Sequence, residues 1–160
     1  MSFFYGELLF DLNQMELAAA QYNWVAENTT KENKYFEQAT LNAVLAFERT
    51  LPAEADIRKR AGESLEPLEY GANERRFIDS ANRYLVTFPK GEKVPDIRFK
   101  LARMAYTYNR FDEALPMFQD IVKRYPKTQY ATFSANLILD IYNLRKDFEG
   151  LSKAGTDMLQ

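Results

Sequence analysis

A short motif returns four times along this chain, and its recurrence constrains the fold more than any other feature. It reads Gly6-Glu7-Leu8-Leu9-Phe10, Ala43-Val44-Leu45-Ala46-Phe47, Ala102-Arg103-Met104-Ala105-Tyr106 and Ala135-Asn136-Leu137-Ile138-Leu139. Each copy places a small residue, a variable residue, two apolar residues and then a bulky one. A small residue one turn before a bulky one suits closely packed helices. A recurring period of this size signals stacked supersecondary units. Units of that kind build binding surfaces more often than active sites.

The helical patterns come in pairs. They cover residues 3–12 and 16–28, 34–50 and 73–88, 95–109 and 112–125, then 129–144 and 148–159. Prolines fall just inside starts or just past ends, where helices tolerate them; Pro95 suits a first turn, and Pro116 is placed near the first turn of its helix. No segment alternates β-branched residues with period two, so no strand is expected. The irregular stretch 52–72 is charged and carries Gly62, Pro67 and Gly71. Gly6 and Ala43 lie 37 residues apart, and Ala102 and Ala135 lie 33 apart, but Ala43 and Ala102 lie 59 apart. The excess marks 52–72 as an insertion, within which 56–65 can form a short extra helix. The expected architecture is one all-α domain over 1–160, an α-α superhelix of about four hairpins. The repeats span about 2–30, 33–89 with the insertion 52–72, 94–127 and 129–160.

These residues resemble tetratricopeptide repeats. The third copy carries the pattern best, with Leu101-Ala102, Tyr106, Phe111-Asp112-Glu113-Ala114, Phe118, Ile121 and Pro126 at the family's spacings. The first copy has Gly6, Met15, Ala18 and Tyr22 at the same offsets. The second is split by the insertion and has Phe77 and Ala81 exchanged in size. In the fourth, Phe148 fits the turn, Leu151 replaces the Ala, and Ala135 and Leu139 compete for the small position. The run Tyr125-Pro126-Lys127-Thr128-Gln129-Tyr130-Ala131, with Phe88-Pro89 as its counterpart, resembles the bacterial envelope subgroup. That subgroup includes the outer-membrane β-barrel-assembly lipoprotein and the periplasmic coordinator associated with the Tol–Pal system. The resemblance implies a non-catalytic protein-interaction scaffold in a cell-envelope or periplasmic complex, with a protein or peptide partner. Ser2-Phe3-Phe4-Tyr5 has no basic stretch, and Glu7 and Asp11 interrupt the apolar run, so the expectation is either a cytoplasmic home or a leader already removed; the missing Cys counts against a lipoprotein reading.

Composition trims the alternatives. With 46% hydrophobic residues the chain can bury a substantial core. Net charge is −2 and the pI is near 5.3, so no basic field drives nucleic-acid binding. That weighs against a helical-repeat RNA-binding module, the rival reading from a different class. The chain has no Cys and no His, which removes the thiolate nucleophile, the commonest general base and the commonest metal ligands. The chain is therefore expected not to be an enzyme and to need no metal or cofactor, although an accessory role in a larger enzyme fits the same composition. No apolar run reaches the roughly 20 residues of a membrane span.

In this repeat family the variable residue and the bulky residue of the first helix face the concave side. The resemblance therefore places Lys100, Arg103, Tyr106, Phe47, Phe10, Glu7 and Asp140 at the partner-binding face, with Arg103 suited to an acidic side chain or a C-terminal carboxylate. Phe111, Phe118 and Phe148 are expected in the core. Lys123, Arg124 and Lys127 offset a helix dipole, and Arg58-Lys59-Arg60 reads as a solvated charged segment. Phe3, Phe4, Leu8 and Leu9 open the chain with few polar neighbours, so either this sequence is a fragment of a longer protein whose preceding repeats cover them, or this end pairs with another chain, a self-association through the N-terminal hairpin. The opposite end carries the polar residues Lys153, Asp157 and Gln160.

Overall fold

The computed structural model describes residues 2–146 together with Lys153 and Gly155. Residues 2–146 form eight α-helices: α1 (Ser2–Asp11), α2 (Met15–Asn28), α3 (Phe36–Arg49), α4 (Glu54–Ala61), α5 (Ala72–Thr87), α6 (Val94–Thr107), α7 (Phe111–Arg124) and α8 (Gln129–Leu144). No strand occurs among the described residues. Of the expected final helix over 148–159, only Lys153 and Gly155 are described, both helical; Phe148, Leu151 and Asp157, and Gln160 beyond it, lie outside the described residues.

The residues that end α1, α6 and α8 share one device. Asn13, Asn109 and Lys146 adopt positive φ, at 60°, 59° and 55°. A left-handed residue lets the chain leave one helix and re-enter the next within a few positions, and Asn tolerates that conformation better than most side chains. Asn13 and Asn109 each follow the small residue of their motif, Gly6 and Ala102, by seven positions. Seven positions before Lys146 stands Leu139, not Ala135. The fourth copy is therefore shifted by one turn, and the variable position after its small site is Asp140. At the matching place in the second hairpin, Thr50 has an ordinary φ of −85°. The insertion enters the chain there, in place of the tight turn.

Other boundaries have local causes. Thr128 caps α8 by accepting from the Ala131 N–H. The Glu74 carboxylate accepts from the Gly71 N–H at the start of α5. Pro95 lies in the first turn of α6. Pro116 sits in the second turn of α7, further in than the sequence suggested, so its missing N–H leaves the Asp112 carbonyl without its helical donor.

The chain divides into two compact units, residues 1–56 with 69–91, and residues 57–68 with 92–160. In the first, α1 packs on α2, α2 on α3 and α3 on α5. Small residues let these helices approach closely: Ala18, Ala19, Ala39, Ala43, Ala46 and Ala81 are all buried. Tyr22 lies against Gly6, where an added Cβ would meet its ring carbons at 3.0 Å. Phe3 stacks on Tyr35 with centroids 4.7 Å apart. Arg83 on α5 reaches Glu27 on α2 at 3.0 Å, tying the second helices of consecutive hairpins.

In the second unit the core is formed by Ala102 and Ala105 of α6, Phe111, Ala114, Phe118 and Ile121 of α7, and Ile138 and Ile141 of α8. The insertion is bound into this unit. Ile57 is buried. The Arg58 guanidinium donates to the Thr107 carbonyl and, at 2.9 Å, to Asn109 Oδ1. Asn109 Nδ2 donates to the Ser64 and Glu66 carbonyls at 2.9 and 3.2 Å. The Leu68 N–H donates to the Tyr108 carbonyl, and Arg110 to the Leu68 carbonyl. Arg58 is thus a fastening of the insertion, not the freely solvated charge that the sequence suggested.

Candidate functional site

The residues expected at a partner-binding face are divided between the two units. Glu7, Phe10 and Phe47 belong to the first, and Lys100, Arg103, Tyr106 and Asp140 to the second.

In the second unit the edge shared by α6 and α8 gathers charged and aromatic side chains. Tyr106 donates its hydroxyl to Asp140 Oδ2. Tyr130 donates to Asp96 Oδ1 at 3.2 Å, and Lys100 pairs with the other oxygen of Asp96, also at 3.2 Å. The Phe99 ring packs beside the second link, with its centroid 5.7 Å from that of Tyr130 and 5.9 Å from that of Phe133. Phe133 is 48% exposed. Arg103 is half-buried on the same helix and one turn from Tyr106.

Burial raises the Tyr106 hydroxyl to about 12, and the bond to Asp140 and its negative charge add to that. The guanidinium charges of Arg58 and Arg103 pull the other way. Tyr106 is consequently a neutral donor at neutral pH, held between a carboxylate and two cations. With its proton donated to Asp140 in that bond, its oxygen can accept from an N–H of a bound partner. It cannot serve as a base there.

The first unit has a related arrangement. The Glu7 carboxylate accepts from the Tyr22 hydroxyl and from Asn42 Nδ2 at 3.0 Å. Arg49 lies over the Phe10 ring, 4.5 Å from its centroid. Phe47 is only 9% exposed and belongs to the core of this unit, so it offers a partner little surface. Its neighbour in the motif, Val44, is fully buried.

Sequence reasoning missed Asp96, Phe99, Tyr130 and Phe133. Tyr130 was visible as part of the Tyr-Pro to Tyr-Ala run. That run serves as a connector: Thr128 donates from both N–H and hydroxyl to the Tyr125 carbonyl, at 3.1 and 2.8 Å, before α8 begins. Sequence gave no sign that Phe99 would bridge it to α6.

A surface hollow of about 310 Å³ lies at the α6–α7 turn, lined by Leu65, Pro67, Asn109, Phe111 and the pairs Arg110–Glu113 and Asp112–Arg145. Its charges are closed on one another, Arg110 on Glu113 and Arg145 on Asp112. No helix among the described residues is long and apolar enough to cross a membrane. Comparison of the chain with family models, with curated proteins and with solved structures finds no match.

Proposed function

We propose that this chain is a non-catalytic protein-interaction scaffold of tetratricopeptide-like hairpins, acting in a bacterial cell-envelope complex. The observation that carries the reading is the α6–α8 edge. Lys100, Arg103, Tyr106 and Asp140 stand there beside the rings of Phe99, Tyr130 and Phe133. Tyr, Arg and other flat or forked side chains recur at binding hot spots because they bring contact area with little loss of conformational freedom. The links Tyr106–Asp140 and Tyr130–Asp96 fix the edge before a partner arrives, which lowers the ordering cost of binding. An acidic side chain or chain terminus of the partner would meet Arg103. The envelope context rests on the resemblance of the Tyr125-Pro126 to Tyr130-Ala131 run.

The test is a capture experiment from a bacterial envelope fraction, with wild type and Arg103→Ala side by side, followed by titration of whatever wild type retains. A charge-assisted hydrogen bond contributes about 1.5–3 kcal/mol. The variant should therefore bind about tenfold or more weakly, with circular dichroism checking that it folds. Equal affinity would remove the α6–α8 edge as the site. Capture of nothing from envelope or cytoplasmic fractions would sink the scaffold reading.

A further inference from the structure

The left-handed turn residues give a common ruler for the first helices of the hairpins. Eight, five and one positions before Asn109 stand Leu101, Met104 and Tyr108, all buried. Eight and five positions before Lys146 stand Ile138 and Ile141, which pack into the core made with α6 and α7. The same three offsets before Asn13 give Tyr5, Leu8 and Leu12, and these are 51%, 53% and 58% exposed. One position before Lys146 stands Arg145, which is exposed, so only the first two positions are covered on both α6 and α8; the same two on α1, Tyr5 and Leu8, are bare though the residues there are also apolar. Phe4, at 56%, lies beside them. At about 100° per residue, Phe4, Leu8, Leu12 and Tyr5 fall within one arc of about 100° on α1.

We propose that this stripe docks a second copy of the chain through the same stripe, about a two-fold axis beside Leu8. The stripe maps onto itself when reversed. Leu8 is one turn from Phe4 and one turn from Leu12, so an antiparallel copy sets Phe4 of each chain against Leu12 of the other and the two Leu8 side chains face to face. Self-complementarity of this kind is what an isologous interface requires. A partner of opposite charge is disfavoured, because the stripe itself carries no charge and the nearby Glu7 is already held by Tyr22 and Asn42.

Area sets the strength. With about half of each side chain bare, the four residues present roughly 400 Å² per copy. Two copies would bury about 800 Å² through the stripe, the size of a weak, transient contact. The dimer is therefore weak and concentration-dependent.

The test uses two readouts on the full chain. Sedimentation velocity over a concentration series should show a reversible monomer–dimer equilibrium, weakened about tenfold or more by Leu8→Glu, with circular-dichroism melting confirming that the variant folds. The chain has no cysteine, so a single introduced one is a clean probe. Leu8→Cys should form an intermolecular disulfide about tenfold faster than Val86→Cys, which is 81% exposed on α5, because proximity raises the effective thiol concentration. A wild-type monomer throughout the series, or Leu8→Cys no faster than Val86→Cys, overturns the proposal. Neither readout involves Arg103, so its failure leaves the partner edge on α6 and α8 standing.

Discussion

Tyr106 on α6 donates its hydroxyl to Asp140 on α8, 34 residues further along. Tyr130 on α8 returns a hydroxyl to Asp96 on α6, also across 34 residues. In the first unit Asn42 on α3 reaches Glu7 on α1 across 35. Within each unit, consecutive first helices are joined by polar links spaced at one repeat period. These links define the stacking register beyond what apolar contact alone would specify, since each needs a particular donor opposite a particular carboxylate.

The Tyr106 link makes stability depend on alkaline pH. An unfolded tyrosine loses its proton near pH 10, whereas burial and Asp140 raise Tyr106 in the fold to about 12. The contribution is fully present below pH 10, where both states are neutral. It falls as the unfolded chain alone ionises and is gone once pH rises through the folded value. Burial, reinforced by the bond to Glu7, raises Tyr22 in the same direction. Tyr106→Phe should lose about 1 kcal/mol at neutral pH. Its melting temperature should then fall less steeply than wild type between pH 10 and 12. Parallel pH profiles for the two proteins would show that Tyr106 ionises alike in both states.

Asn109 fastens the insertion to the second unit, and its two roles separate by substitution. Its positive φ is a conformation that Gly adopts freely and Ala resists by roughly 1–2 kcal/mol. Its side chain also bonds Arg58, Ser64 and Glu66. Asn109→Gly keeps the turn and removes only the fastening. Asn109→Ala removes the fastening and strains the turn, so it should be the less stable variant in urea titration. Both should speed proteolysis within residues 57–68 relative to wild type. Cleavage in that segment at the wild-type rate would refute the fastening.

Much of this was legible beforehand because it is local. The small–bulky motif and the placement of the prolines foretold an all-helical chain, with no strand among the described residues. What stayed illegible is non-local. Lys146 reveals the register of the fourth motif copy only through its φ, so Ala135 and Leu139 could not be ranked by size alone. Asn109 looks like any turn residue until the carbonyls of Ser64 and Glu66 are seen across 45 and 43 residues. Phe47 and Phe10 hold the same motif position, yet one is buried and the other lies under Arg49. Neighbours that arrive from elsewhere in the chain make that difference.

Gly6 is the one small motif residue without a Cβ, and Tyr22 accounts for it. In an unhindered helix, Gly→Ala stabilises by about 1 kcal/mol. Here the new methyl would meet the Tyr22 ring at 3.0 Å. The ring is buried and held at its hydroxyl by Glu7, so it yields little. Overpacking of this kind costs about 1–3 kcal/mol. The net effect of Gly6→Ala should be a loss of up to about 2 kcal/mol in chemical denaturation. A stabilised variant would mean that the α1–α2 packing relaxes freely.

Two phenylalanines that contact the same ring separate stability from binding. Phe118 and Phe133 both lie near Phe99, with centroids 6.1 and 5.9 Å away. Phe118 is fully buried at the centre of the second unit's core, whereas Phe133 is about half exposed at the α6–α8 edge. Phe118→Ala removes a ring from a closed core and should cost about 3–5 kcal/mol. Phe133→Ala gives up area already open to water and should cost less than about 1 kcal/mol. If the edge is the partner site, the rank reverses for affinity measured under folding conditions. Phe133→Ala should weaken capture of an envelope partner about tenfold, while the folded fraction of Phe118→Ala should bind normally. Denaturant melts beside binding titrations of the two variants decide it. A large stability loss at Phe133 with unchanged affinity would make it a packing residue and leave the edge without its aromatic contact.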